Sequence, residues 1–156
     1  MRRDKLNVAA GAAEATGAAH GRYVLDEQVG FLMRVAMQRH TAIFTSRIVE
    51  SLTQTQFAAM AKLYEVGPCS QNHLGRLIYL DAATIKGVVD RLSVRGFVTA
   101  LADSKDRRRR AVALTEHGRA VTEAAMKVAA EITAATLTPL NAEEQRLITK
   151  LLKRLT

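Results

Sequence analysis

The chain has no tryptophan, one cysteine, two prolines and only 4% aromatic residues. With Cys69 alone, an internal disulfide framework and a cysteine-rich zinc site are both excluded, which fits a reducing cytoplasm. No uninterrupted apolar run approaches the roughly 18 residues that suggest a membrane span. The start, Met1-Arg2-Arg3-Asp4-Lys5, is basic, but Asn7, Glu14 and a Gly/Ala-rich filling leave no hydrophobic stretch that export could use. Residues 1–22 are expected to form a mobile tail, with residues 23–156 as one domain. No Gly-rich phosphate loop, nucleophile elbow or close metal-ligand spacing is present, so neither catalysis nor a cofactor or metal is expected. His20, His73 and His117 would bind zinc only if residues distant in sequence converged.

What is there is a foldable, strongly basic chain. Its 156 residues are 48% hydrophobic, enough for one buried core. Lys and Arg number 23 against 15 Asp and Glu, a net charge of +8. Such a balance favours an anionic partner, whether nucleic acid, an acidic membrane surface or a small anion.

Apolar periodicity divides the chain into helices and one hairpin. From Asp26, the positions Val29, Leu32, Met33, Ala36, Met37, Ile43, Phe44 and Ile48 predict one long amphipathic helix of about six turns. Thr53 to Val66 predicts a shorter helix with Phe57, Met60, Ala61 and Tyr64 on one face, stopped by Gly67-Pro68. Ser70 caps a helix to about Ile78, and Asp81 caps the next, Ala82 to about Arg95, which ends at Gly96. Two short helices joined by a tight turn suggest helix-turn-helix. Phe97–Leu101 and Ala111–Leu114 then read as strands of a hairpin with a charged tip. Beyond it lies an Ala-rich helix from Thr115, with Val121, Ala124, Val128, Ile132 and Ala135 on its stripe, broken at Pro139. A last helix starts at Asn141, with Glu144 three residues on and Leu147, Ile148, Leu151 and Leu152 following.

The charge is not spread evenly. Residues 70–119 hold 10 basic and 5 acidic side chains, most of the chain's excess. That places the phosphate-neutralising potential on the helix pair and hairpin. Arginines 107–110 suit a narrow minor groove, and the second helix of the pair has the width for a major groove. Asp103 and Asp106 beside them look like residues that orient particular guanidinium groups. An isolated arginine run is equally well a solvated tip; its position directly after a helix pair is what points to DNA.

From Ser70 to Gly118 the sequence resembles the MarR family of winged helix-turn-helix regulators. The likeness lies in Leu80-Asp81-Ala82-Ala83-Thr84-Ile85, Val89-Asp90-Arg91-Leu92, Arg95-Gly96-Phe97-Val98, and Asp103-Ser104-Lys105-Asp106-Arg107-Arg108 leading to Leu114-Thr115-Glu116-His117-Gly118. The resemblance implies a mainly α fold with a small β-wing (α+β). Its DNA-binding part would span about 53–115, and its dimerisation helices about 24–50 and 116–156. It also implies a homodimer on near-palindromic double-stranded DNA. Carried over by position, Thr84 and Lys86 would meet bases or phosphates, Ser70 and Gln71 the backbone, and Arg108 the minor groove with Asp106 holding it. Lys105, Arg107, Arg109 and Arg110 complete the expected DNA surface. Ala82 and Gly87 stand where members often carry polar or basic side chains, which shifts the expected readout toward DNA shape.

Members of this family commonly bind a small aromatic carboxylate beside the first helix, and the chain offers groups for one. Arg34, Gln38, Arg39, His40 and Thr41 adjoin an apolar wall of Met33, Met37 and Phe44. Met60 is expected to line the same pocket. The pair Arg34 and His40 is similar to that of aromatic-acid-sensing members. Leu25–Leu32 and Arg39–Phe44 resemble the branch controlling catabolism of aromatic or N-heterocyclic carboxylates such as nicotinate. The resemblance implies a ligand-responsive repressor, with a hydroxylated nicotinate as first-ranked ligand and a hydroxycinnamoyl-CoA thioester as second. Taken alone, His40 reads as a core histidine bonded to a backbone carbonyl, Arg34 as a surface or dimer salt bridge, and Cys69 as an inert thiol. An effector-independent architectural DNA-binding protein is the rival from another class.

Overall fold

The computed structural model describes residues 23–102 and 110–156, and in them six α-helices and one three-stranded sheet. A 3-10 turn over Leu25–Glu27 leads into α1 (Val29–Arg47), and a second over Val49–Ser51 leads into α2 (Gln54–Val66). The strand β1 (Cys69–Ser70) precedes α3 (Gln71–Leu77) and α4 (Ala82–Val94). Then come β2 (Val98–Ala102), β3 (Arg110–Leu114), α5 (Glu116–Leu137) and α6 (Ala142–Leu155).

The helix starts follow local chemistry. Thr53, Ser70, Asp81, Thr115 and Asn141 each sit in an extended backbone conformation and accept a hydrogen bond from an amide of the first turn. Thr53 with Gln56, and Asn141 with Glu144, form reciprocal capping boxes. Gly67 ends α2 at φ +78, and Gly96 lies at φ +71 on the way from α4 into the sheet. The first helix begins later than its periodicity suggests. Gln28 is extended at φ −81 and ψ 126, so Asp26 belongs to the 3-10 turn instead of α1.

The sheet has the order β1-β3-β2 and is antiparallel throughout. Thr99 faces Ala113 and Ala100 faces Val112 in the hairpin, while Cys69 pairs with Val112 on the other side. The two-residue strand β1 was not expected from the sequence, because two residues carry no alternation to read. It closes one edge of β3 and ties the start of α3 to the wing.

The core joins the helix pair, the sheet and the long helices. Met60, Leu74, Ile85, Leu92, Phe97 and Ile132 are all within 2% of full burial. Two helix faces differ from expectation. In α2 the buried positions are Gln56, Ala59, Met60 and Leu63, leaving Phe57, Ala61 and Tyr64 half-buried. In α5 it is Ala125, and not Ala124, that faces inward with Val121 and Ile132. By contrast, Val29, Leu32, Met33 and Met37 of α1 and Leu147, Leu151, Leu152 and Leu155 of α6 are exposed in the single chain.

Candidate functional site

Four of the ten expected DNA contacts, Ser70, Gln71, Thr84 and Lys86, lie on the helix pair or at its start. On α4, Ile85, Val88 and Leu92 are buried, which turns Ala82, Ala83, Thr84, Lys86 and Asp90 outward. Asp81 accepts from the Thr84 amide at 2.8 Å and from its hydroxyl at 2.6 Å. Those hydrogen bonds, the side-chain one first, hold the exposed Asp81 carboxyl below its ordinary range. Thr84 thereby presents only lone pairs to solvent. Lys86 pairs with Asp90 at 2.5 Å, but both side chains are more than half exposed. An exposed pair of this kind is worth a few tenths of a kcal/mol and yields readily to a phosphate.

Beside α4, Ser70, Gln71, Asn72, Arg76 and Arg110 line an open groove of about 570 Å³. Ser70 Oγ already accepts from the His73 amide, so its role in the helix start is filled. Asn72 and Arg76 are the residues here that sequence reasoning missed. Their spacing of four on a helix beginning at Gln71 puts them on one face. Lys105, Asp106, Arg107, Arg108 and Arg109 lie outside the described residues. Arg110, the last of that arginine run, is exposed on β3.

A second concavity lies between the long helices. Met37, His40 and Phe44 of α1, Gln54 and Phe57 of α2, and Ala129, Ile132 and Thr133 of α5 enclose about 270 Å³. The His40 ring is tilted against Phe44 at 6.2 Å, and Phe44 against Phe57 at 6.1 Å. His40 Nδ1 lies 3.0 Å from Thr136 Oγ1, so its partner is a hydroxyl and not the backbone carbonyl expected of a core histidine. Thr41 lines an adjoining cavity of about 370 Å³ between the end of α1 and the start of α2. Phe44 and Gln54 border both spaces, and Gln54 Nε2 donates to Thr41 Oγ1 at 3.3 Å.

Three other expected ligand residues stand elsewhere. Met60 is fully buried in the core and does not line either cavity, because it lies on the inward face of α2 with Gln56, Ala59 and Leu63. Arg34 stacks over Phe31 at 5.0 Å and Gln38 is exposed. The cation that touches this region is Arg39, whose guanidinium donates to the Thr136 carbonyl at 2.5 Å and to Ala135 at 3.2 Å. These are among the last carbonyls of α5, which no intrahelical amide can reach, so Arg39 caps that helix from α1. The contributions of Gln54, Phe57 and α5 were hidden from sequence reasoning because they come from segments far from His40 along the chain.

The remaining candidates for other chemistry are occupied or isolated. Cys69 is partly buried in β1, and burial pushes its thiol above the ordinary value. His117 stacks on Phe97 at 5.2 Å. Among the described residues no three His, Cys, Asp or Glu side chains gather as a metal site, and no helix is long and apolar enough to cross a membrane.

Comparison with known proteins agrees with this architecture. The model of the MarR family matches residues 52–109, from the end of the α1–α2 link to the residue before β3. The transcriptional repressor NicR of Pseudomonas putida is 41% identical over 134 residues, covering 85% of each chain. The chain belongs to the MarR family. This MarR-family chain is also similar to a probable transcriptional regulator of Pseudomonas aeruginosa, at 49% identity and a TM-score of 0.82, covering 85% of this chain and all of that one. BpsR of Bordetella bronchiseptica, whose DNA binding is regulated by 6-hydroxynicotinic acid, is 39% identical with a TM-score of 0.81, over 86% of this chain and 97% of that one. The fold is therefore the expected winged helix-turn-helix, mainly α with a small β-wing.

Proposed function

We propose that this chain is a ligand-responsive transcriptional repressor, released from a near-palindromic operator by a small aromatic or heterocyclic carboxylate, with a hydroxylated nicotinate ranked first. The observation that carries the reading is the His40 cavity, an apolar-walled space with few polar groups set between the long helices and the DNA-binding lobe. Likeness to NicR supports the repressor role, and likeness to BpsR, whose DNA binding is regulated by 6-hydroxynicotinic acid, supports the ligand class. A one-ring acid suits about 270 Å³. A hydroxycinnamoyl-CoA thioester would leave most of its length outside, which favours the first ligand over the second.

The working unit in this reading is a homodimer in the cytoplasm. The exposed apolar residues of α1 and α6 supply a surface for the second copy, leaving each α4 free to enter a major groove. Ser70, Gln71, Arg76 and Arg110 are assigned to phosphates, Thr84 and Lys86 to the major groove, and Arg108 with Asp106 to the minor groove. Arg34 and Gln38, outside the cavity in one chain, are assigned to the ligand's approach. Binding must favour the DNA-incompetent arrangement over the competent one, since equal affinity for both would relieve nothing.

Gel-shift titration on the promoter fragment tests both halves. The operator is expected to be bound in the absence of acid and released by 6-hydroxynicotinic acid. Retention of the complex at saturating concentrations of every ring acid and of the thioester would remove the sensor role. Arg76→Ala or Arg110→Ala is expected to weaken binding across all sequences and to lower the salt slope by about 1. Equal affinity for operator and random DNA would instead favour an architectural protein.

A further inference from the structure

The proton between His40 and Thr136 is assigned by the hydrogen bonds of α5. Thr136 Oγ1 lies 2.9 Å from the Ile132 carbonyl and donates its single proton there. Toward His40 Nδ1, 3.0 Å away, the hydroxyl has only lone pairs to offer. With that proton directed to the carbonyl, Nδ1 is the donor, and in the neutral ring Nε2 is left unprotonated. Arg39 holds this geometry by donating to the Ala135 and Thr136 carbonyls, which pins the end of α5 to α1.

The threonine that lines the cavity has the same bias. Thr133 lines the space and donates to the Ala129 carbonyl at 2.9 Å, so it too faces outward as an acceptor. Gln54 directs one of its amide hydrogens to Thr41 and keeps its second amide hydrogen, the donor to which a carboxylate can turn. A carboxylate set against an unprotonated imidazole nitrogen and a threonine lone pair is repelled, whereas a hydroxyl or lactam N–H is bound.

We propose that Thr136 is a specificity-determining positioning residue: it holds the His40 proton on Nδ1, makes Nε2 an acceptor, and so selects a ring acid bearing a hydrogen-bond donor over the same acid without one. The selection rests on the effector reading above; the tautomer does not. In the bound state the ring's donor faces His40 and its carboxylate turns away.

The test pairs nitrogen NMR of histidine-labelled, ligand-free protein with calorimetry. His40 is assigned by its loss in His40→Gln. The wild-type ring is expected to show a protonated Nδ1 and a pyridine-like Nε2. Thr136→Val, which keeps the volume and removes the acceptor, is expected to lose that pattern, and Thr136→Ser to retain it. The wild type is expected to bind 6-hydroxynicotinic acid about tenfold more tightly than nicotinic acid, the scale of one hydrogen bond. That ratio is expected to fall to about twofold or less in Thr136→Val and to persist in Thr136→Ser. A protonated Nε2 in the neutral wild-type ring overturns the proposal, as does an unchanged ratio in a Thr136→Val protein whose tautomer has changed. Binding of neither acid, beside the expected tautomer, overturns the effector reading and the selectivity, and supports the tautomer assignment.

Discussion

The Arg95 guanidinium donates to the backbone carbonyl of Glu50 at 2.5 Å, across 45 residues of chain. Glu50 and Ser51 both adopt positive φ, at +55 and +46, a conformation that side-chain-bearing residues enter at a cost of about 1–2 kcal/mol each. Arg95 is the C-cap residue of α4 and lies over the Phe97 ring at 4.5 Å. One side chain therefore stabilises the strained link between α1 and α2 and joins it to the root of the wing. Ser51 lines the larger of the two adjoining cavities, so this link lies between the cavity walls and the DNA-binding lobe.

Arg95→Ala removes the hydrogen bond and the cation–π contact together. A loss of about 1–2 kcal/mol is expected, seen as a Tm lower by about 3–6 °C in thermal denaturation. Glu50→Gly, with Arg95 intact, is expected to raise stability by about 0.5–1 kcal/mol because glycine enters the left-handed region freely. A neutral Arg95→Ala would show that the link holds its shape without that tie.

Gly118 has no room for a side chain. A Cβ built on it would lie 1.9 Å from the Phe97 carbonyl oxygen, and that atom is backbone, so it cannot rotate away. Gly118→Ala is expected to cost about 3 kcal/mol in urea unfolding, at the upper end for overpacking. A loss below about 1 kcal/mol would mean that α5 can slide relative to the wing.

Asp81 makes the start of α4 sensitive to acid. Its carboxyl is held below the ordinary range by Thr84, so the folded form keeps the charge to lower pH than the unfolded form. The sign follows: this contribution is fully present above the unfolded value near 4 and disappears as pH falls through the lower folded value. Asp81→Asn retains a capping oxygen and does not titrate. Thermal melts between pH 6 and pH 2 are expected to show a smaller decline for Asp81→Asn than for the parent, and parallel curves would contradict the assignment.

Burial raises the Cys69 thiol, so little thiolate is present at neutral pH. Slow alkylation at pH 7.5 is expected, together with operator binding that a moderate excess of peroxide leaves unchanged. Cys69→Ser is expected to behave like the parent in gel shifts. Peroxide-induced release that disappears in Cys69→Ser would make the thiol a switch.

The DNA-binding lobe was the most legible part of the chain because its signals are local. Ser70, Asp81 and Asn141 announce helix starts by the oxygen they offer to amides two or three residues away, and each one caps in the structure. Gly67 and Gly96 mark stops that need positive φ. The arginine run and the short strands flanking it identify a hairpin without any knowledge of what lies beside it, and strands form on both sides of the tip.

The His40 cavity was legible only in the part that α1 contributes. His40, Met37 and Phe44 share one helix face, but the other walls come from α2 and α5, and nothing in the spacing of either helix records which turns meet. Met60 shows the limit well. Its apolar character is equally compatible with a core or a pocket, and the buried face of α2, centred on Gln56, Ala59 and Leu63, decided for the core. Arg39 and Arg34 are likewise indistinguishable as charges on α1, yet only Arg39 reaches carbonyls of α5.

What the amino-acid sequence determined by itself was therefore the identity and order of the elements, since capping, periodicity and turn chemistry act within a few residues. What tertiary packing alone decided was which helix faces meet, which carbonyls Arg39 satisfies, and on which nitrogen His40 carries its proton. Those outcomes depend on hydrogen bonds of fixed direction between segments nearly a hundred residues apart, and such directions exist only once the helices are docked.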